Sequence, residues 1–272
     1  MYKGYKIKPL IFAGRADTMS ILFPLLQSDI IDEVLVGVNT TNPADLDFIH
    51  NYIKSHPKFT AIPISSTIIG TLGAYQYMFS LMTDDDTIYI KLDDDIISLS
   101  ENFMEALIEF RVSNPRYLCV YPFIVNNPLC NYLAGYFKSD FNNASDHLYY
   151  TWKDPKYAMK LLASYAKQKL RIPKFTYECT SKDTYYRPEL PYRFGASINA
   201  ICFFGTDCKQ MKWYDDMGKF GDEPYLMYNV FQLYGEHRPN VIYANPYCVH
   251  YAFYSQRDVL NMLHILDMYR GV

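Results

Sequence analysis

The stretch Thr87-Ile88-Tyr89-Ile90-Lys91-Leu92-Asp93-Asp94-Asp95 runs a short apolar strand straight into three carboxylates, with Ile96-Ile97 following. Like charges crowded at the end of a buried strand repel one another and lose hydration. A cation relieves both costs. A hard divalent ion held by aspartate oxygens, its other positions left to phosphate oxygens, is the usual means. A solvated turn is the plain alternative, and the chain supplies its own comparison in Asp84-Asp85-Asp86. That triplet lies between Met82-Thr83 and the strand, where a polar loop is expected. The first triplet reads as loop and the second as a metal site, on context alone.

Around this stretch, strand and helix signals alternate. Lys8–Ala13 reads as a strand stopping at Gly14, followed by a helical pattern through Met19, Leu22, Phe23, Leu25 and Leu26. Glu33–Val38 reads as strand, Pro43 opens a helix through Ile49 and Ile53, Thr60–Ile64 is strand, and Gly70–Leu81 is helix. Such alternation predicts a parallel sheet covered by helices. Ligands bind at the carboxyl ends of strands in such sheets. Gly14-Arg15, Asn39-Thr40 and the second Asp triplet all fall at those ends.

Beyond Ser100 the pattern predicts a helix at Phe103–Arg111 and a strand at Tyr117–Phe123. Asn126–Pro191 reads as irregular, with one helix at Pro155–Lys169 capped by Asp154. Strands are expected at Ile198–Phe204, Val241–Tyr243 and Tyr247–His250, and a helix at Glu223–Tyr234. No Gly/Ser linker or internal repeat divides the chain, so a single domain is expected over residues 1–272.

With 272 residues, half of them apolar, the chain can bury a sizeable core. A net charge of −3 without a Lys/Arg run gives no electrostatic footprint for nucleic acid. The 27 tyrosines suit sugar-stacking surfaces, but equally ordinary cores. Six cysteines show neither C-x-x-C nor zinc-like spacing. No apolar run approaches the roughly 18 residues of a membrane span, and Met1–Lys6 does not lead into a signal peptide. Reduced thiols and a cytoplasmic location are expected.

Several residue types carry chemistry. Asp93 and Asp95, two apart, should point the same way at a strand end, with Asp94 opposite. Lys91 either counters the local charge or is a plain exposed lysine. Gly14 permits close backbone approach and Arg15 suits phosphate or a nucleobase carbonyl. Gly70–Ala74, with Gly73 within it, either presents backbone N–H groups to a diphosphate or is simple turn chemistry. Asp222-Glu223 either favours a helix N-terminus electrostatically or holds a general base. His250 is a structural histidine or a ligand, and Arg257 a surface arginine or a diphosphate contact. Tyr185, Tyr186, Tyr192 and Trp213 are candidates for an acceptor-sugar platform.

Taken in order, strand-Gly-Arg, Val-Asn-Thr after the second strand, Ile-Lys-Leu-Asp-Asp-Asp-Ile, a late Asp-Glu and a terminal His-Tyr-Ala-Phe-Tyr-Ser-Gln-Arg resemble the nucleotide-sugar-dependent glycosyltransferases of the GT-A fold. The resemblance covers most of the chain and explains Asn126–Pro191 least. It implies a Rossmann-like, mostly parallel sheet with helices on both faces, plus a smaller mixed sheet on the acceptor side. Residues 1–98 would form the nucleotide-binding half and 99–272 the acceptor half. Ala13, Arg15, Asn39 and Thr40 would line the nucleoside pocket, and Asp93 and Asp94 would contact the nucleotide sugar. Asp95, His250 and Asp93 would ligate the metal, with the part Asp94 plays left open. A histidine ligand favours Mn²⁺ over Mg²⁺. Glu223, with Leu226 three residues on, would be the base of an inverting transfer and Asp222 an acceptor contact, although the family's commoner order is Glu-Asp. The expected function is transfer of a sugar from a nucleotide diphosphate, UDP by family frequency, to a hydroxyl of a glycan or other acceptor. Two alternatives stand beside it: a sugar-nucleotide nucleotidyltransferase, against which the first strand lacks a multi-glycine basic loop, and a non-catalytic carbohydrate-binding protein.

Overall fold

Strand–helix alternation does build a parallel half-sheet. A computed structural model of the chain describes residues 1–179, 198–226 and 238–270. Strands β1 (Lys6–Ala13), β2 (Val34–Val38), β3 (Phe59–Pro63) and β4 (Thr87–Asp93) pair in parallel in the order β3-β2-β1-β4. Helices α1 (Ala16–Leu25), α2 (Pro43–Ser55) and α3 (Leu72–Ser80) are the connections. The near-continuous burial of β1, β2 and β4 follows from helical cover on both faces of the sheet. Asn42 caps α2 by accepting from Ala44 N at 2.9 Å, with Pro43 in the first turn, and Thr71 caps α3.

Past β4 the sheet becomes mixed and stays continuous. The strands β5 (Ile96–Leu99), β6 (Val120–Val125), β7 (Thr176–Glu178), β8 (Ala200–Phe204) and β9 (Val241–His250) extend the order as β4-β8-β6-β9-β5, with β7 also on β9. The β6–β9 pair is parallel; β8 and β5 run antiparallel to their neighbours. Helix α4 (Phe103–Ser113) follows β5. The two expected late strands are one, because the Ala244-Asn245-Pro246 interruption is absorbed as an irregularity between the pairs Pro122↔Tyr243 and Phe123↔Tyr247.

The segment read as irregular holds more helix than expected. Alongside α7 (Pro155–Ala166), capped by Asp154 as predicted, it forms α5 (Pro128–Ala134) and α6 (Ala144–Lys153). The Asn and Pro residues that suggested loop are here the start signals: Asn127 accepts from Cys130 N at 2.9 Å ahead of Pro128. Short helical turns α8 (Gly205–Cys208), α9 (Met217–Phe220) and α10 (Asp222–Pro224) follow β8, and α11 (Tyr254–Met262) follows β9. Most of the helix expected over Glu223–Tyr234 lies outside the described residues, as do Tyr185, Tyr186 and Tyr192.

The six cysteines are buried and form no disulfide. Among the described residues no helix is long and apolar enough to cross a membrane.

Candidate functional site

The two acidic triplets part as their contexts predict. Asp84, Asp85 and Asp86 are exposed and meet Lys8, Lys209 and Lys6 at 3.0–3.4 Å. Asp94 and Asp95 are buried, at 2% and 3% exposure. They sit in a turn between β4 and β5, at the carboxyl ends of the parallel strands.

Period-two alternation ends with β4 at Asp93, and the turn brings Asp94 and Asp95 to one guanidinium. Arg15 donates to Asp94 Oδ1 and stands 3.3 Å from Asp95 Oδ2. Asp94 Oδ2 also accepts from Gly14 N at 2.8 Å, so Asp94 clamps the end of β4 to the end of β1. A Cβ at Gly14 would lie 3.2 Å from Asn39 O, tighter than such contacts normally run. Burial pushes the Asp94 carboxyl up to about 6, with Arg15 pulling down and Asp95 adding repulsion. Asp95 goes the other way: burial alone would raise it, but His250, Arg15 and Arg257 together hold it well below the usual carboxylate range.

Asp93 has a separate set of partners. Lys91, fully buried, donates to Asp93 Oδ1 and to Ile198 O, while Asn199 Nδ2 donates to Asp93 Oδ2 at 2.7 Å. Lys91 is therefore the local counter-charge and not an exposed lysine. Asn199 belongs to the site and had no signal in the sequence, since only the β4–β8 pairing brings it to Asp93.

The remaining members arrive from the far half of the sheet. Asp95 O accepts from Tyr251 N at 2.9 Å, which ties the acidic turn to the end of β9. Arg257, in the first turns of α11, donates to Asp95 Oδ2 at 2.6 Å, and His250 Nε2 lies 3.3 Å from the same oxygen. These groups line a cleft of about 240 Å³ with Phe12 and Tyr75, whose rings stack at 4.6 Å. A larger cavity of about 680 Å³ between α1, β5 and α7 contains none of the carboxylates.

Asn39 and Thr40 do not line this cleft. Asn39 Oδ1 accepts from Gly70 N at 2.8 Å, joining the end of β2 to the loop before α3, and Thr40 bonds Asp45 at 3.2 Å. Gly73 is a first-turn residue of α3 whose N–H is taken by Thr71 Oγ1 at 3.2 Å. Ala13 is wholly buried and presents its carbonyl to Asn39 N at 2.8 Å.

Glu223 and Asp222 come from the segment after β8, with Glu223 within electrostatic reach of Asp93. Gly221, at φ +85, turns the chain into α10, which packs against α3. Leu226 O accepts from Tyr121 OH and Asn240 Nδ2, anchoring the segment to β6 and β9. The Glu223 side chain is exposed, yet the protein packed around it, then the charges of Asp222 and Asp93, push its carboxyl up to about 7. Trp213 is no acceptor platform. It is 4% exposed, stacks on Phe79 at 4.8 Å and donates to Cys208 O, so it is core.

The donor set at Asp95 fits a metal ion as an open site. Asp95 Oδ1 is buried without a hydrogen-bond partner among the described residues. His250 faces an acceptor on each side, Asp95 Oδ2 at 3.3 Å and Asn126 O at 3.4 Å. Among the described residues no group of three or more His, Cys, Asp or Glu could hold a metal ion.

Neither a scan against protein-family models nor a search of curated proteins finds a match. Solved structures do match. A CMP:2-keto-3-deoxy-manno-octonic acid synthetase complexed with CTP aligns over 98% of this chain and 100% of its own, at 10% identity and a TM-score of 0.50. A Bacillus anthracis protein described as a glucose-1-phosphate thymidylyltransferase aligns over 98% and 96%, at 10% identity and 0.52. GalNAc-T7 with UDP, GalNAc and Mn²⁺ aligns over 98% of this chain, which spans half of that protein, at 11% identity and 0.52. At such identities the likeness establishes the fold: a single α/β domain of the kind shared by GT-A glycosyltransferases and sugar nucleotidyltransferases.

Proposed function

We propose that the chain is a metal-dependent transferase of nucleotide sugars, and specifically a glycosyltransferase. The observation that carries this reading is the convergence of Arg15, His250 and Arg257 on one carboxylate oxygen of Asp95, with Glu223 within electrostatic reach of Asp93. Asp95 and His250 would hold a divalent ion, Mn²⁺ before Mg²⁺, and that ion would offset charge on a departing nucleoside diphosphate. Arg15 and Arg257 would supply further positive charge to the diphosphate. Asp93, fixed by Lys91 and Asn199, would accept sugar or ribose hydroxyls. Ala13, Gly14, Asn39, Thr40 and Gly73 would border the nucleoside, with Asp94 holding Gly14 and Arg15 in place. Glu223, poised at about 7, would take the proton of an acceptor hydroxyl, with Asp222 beside it. Attack from the face opposite the leaving group would invert the anomeric centre.

Sugar nucleotidyl transfer is the second reading, favoured by the likeness of the whole chain to the CTP-bound synthetase. Against it, β1 passes through Gly14-Arg15 straight into α1, leaving no multi-glycine loop for a triphosphate. Product analysis separates the two. Mn²⁺-dependent release of UDP from a UDP-sugar supports glycosyl transfer, and pyrophosphate release from a nucleoside triphosphate and a sugar phosphate supports the other. A thermal-shift panel of nucleotide sugars with and without Mn²⁺ selects the donor, because native-state binding raises the melting temperature. No shift with any nucleotide would refute both.

A further inference from the structure

We propose that Asn126 and Gln256 are positioning residues for the cation site, holding the His250–Arg257 turn against Asp95. This deepens the reading above and rests on it.

Asn126 follows β6 directly, is fully buried, and has φ +64, a left-handed conformation that asparagine tolerates better than most residues. Its Nδ2 donates to Tyr251 O at 3.0 Å and to Gln256 Oε1 at 3.1 Å, and its own carbonyl faces His250 Nδ1 at 3.4 Å. Gln256, also fully buried, donates to Thr151 O on α6 at 2.7 Å and accepts from Phe253 N at 3.2 Å. A hydrogen-bonded path therefore runs from α6 through Gln256 and Asn126 to the two residues at the end of β9. Gln256 immediately precedes Arg257, and Tyr251 immediately follows His250, so two of the three basic groups facing Asp95 hang from this path. Neither Asn126 nor Gln256 lines the cleft, and each acts only through its neighbours.

The network is poorly explained by stability alone. Asn126 Oδ1 is buried with no partner among the described residues, and an apolar contact would fill the same space without an unsatisfied acceptor. Outlying backbone and incomplete hydrogen bonding in one residue beside a charged cleft are the signs of a constraint on geometry. Orientation of a ligating histidine by its outer neighbours is worth a roughly 10- to 100-fold change in metal affinity.

Asn126→Gly tests this directly, because glycine suits φ +64 and keeps the carbonyl while deleting both side-chain donations. The expected result is a melting temperature close to wild type and altered ¹H–¹⁵N signals of the His250 ring, with faster N–H exchange. Mn²⁺-dependent UDP affinity should fall roughly 10-fold or more. Gln256→Leu should produce the same ring signature, and if it does not fold, Asn126→Gly alone decides. Unchanged His250 ring signals in Asn126→Gly overturn the proposal, including the case where only the melting temperature drops. If the wild-type chain binds no nucleotide with Mn²⁺, the donor-site reading fails, while the ring signals still decide the positioning role.

Discussion

Asp95→Asn keeps the shape of the side chain and removes its charge, which isolates what the buried carboxylate does. Three basic groups face Asp95 Oδ2: Arg257 at 2.6 Å, and Arg15 and His250 at 3.3 Å. Removing one partner of a buried ion pair costs about 3–5 kcal/mol. Two features place this case at the lower end. The Arg257 side chain is 18% exposed and can turn toward water, and Arg15 keeps Asp94. The expected loss at neutral pH is about 3 kcal/mol. For 272 residues the melting entropy is about 0.6 kcal/mol per degree, so the melting temperature should fall by about 5 °C. The pH dependence has a definite sign. Asp95 is held below its ordinary value, so its stabilisation is complete above the unfolded carboxylate value near about 3.9 and is lost as the pH falls below it. Urea denaturation should show the full gap between wild type and variant at about pH 7 and a gap smaller by about 0.7 kcal/mol at about pH 3.5, where only the unfolded carboxylate has begun to take up its proton. The same variant should lose Mn²⁺-dependent UDP binding. A variant as stable as wild type at neutral pH would refute the ion-cluster account, and retained Mn²⁺-dependent binding would refute the metal role.

Three further outcomes are expected. If Glu223 is the base, kcat/KM should rise with pH to a midpoint near about 7, Asp222→Asn should move that midpoint to lower pH by removing a like charge, and Glu223→Gln should bind donor without transfer; a pH profile unmoved by Asp222→Asn would remove the coupling. Arg257→Gln frees Asp95, so Mn²⁺ alone should bind more tightly by titration calorimetry while UDP·Mn²⁺ binds more weakly; changes of the same sign in both would contradict the proposed sharing of Arg257 between carboxylate and diphosphate. Lys91→Met keeps the buried stem and leaves Asp93 to Asn199; with Asp93 21% exposed the loss should be about 2 kcal/mol by urea denaturation, and a cost near zero would show that water replaces the lysine fully.

The parallel half was legible because its periodicity is local. Each strand's apolar run and each helix's cap lies within about a dozen residues, and both β4 and its acidic end could be read directly. The contrast between the two Asp triplets was also legible, since the burial of Asp94 and Asp95 follows from the apolar residues on either side. Strand β5 was hidden behind the same triplet: four residues after a turn carry no pattern of their own, and only pairing with β9 makes them a strand. Helices α5 and α6 were missed because Asn and Pro serve both loops and helix starts. Trp213 shows the reverse error, a residue type suited to sugar stacking that Phe79 and Tyr225 take into the core.

By itself the sequence determined where negative charge collects and that a parallel sheet delivers it to the strand ends, because both depend on neighbours along the chain. Which cations meet that charge was a tertiary matter. Arg15, Lys91, His250 and Arg257 come from the loop after β1, β4, the end of β9 and α11, with the Asn199 amide from the residue before β8, and only the folded sheet sets them around Asp93, Asp94 and Asp95. The opposite displacements of Asp94 and Asp95 have the same origin. Adjacent in the chain and equally buried, they differ only in which charges the fold places beside each.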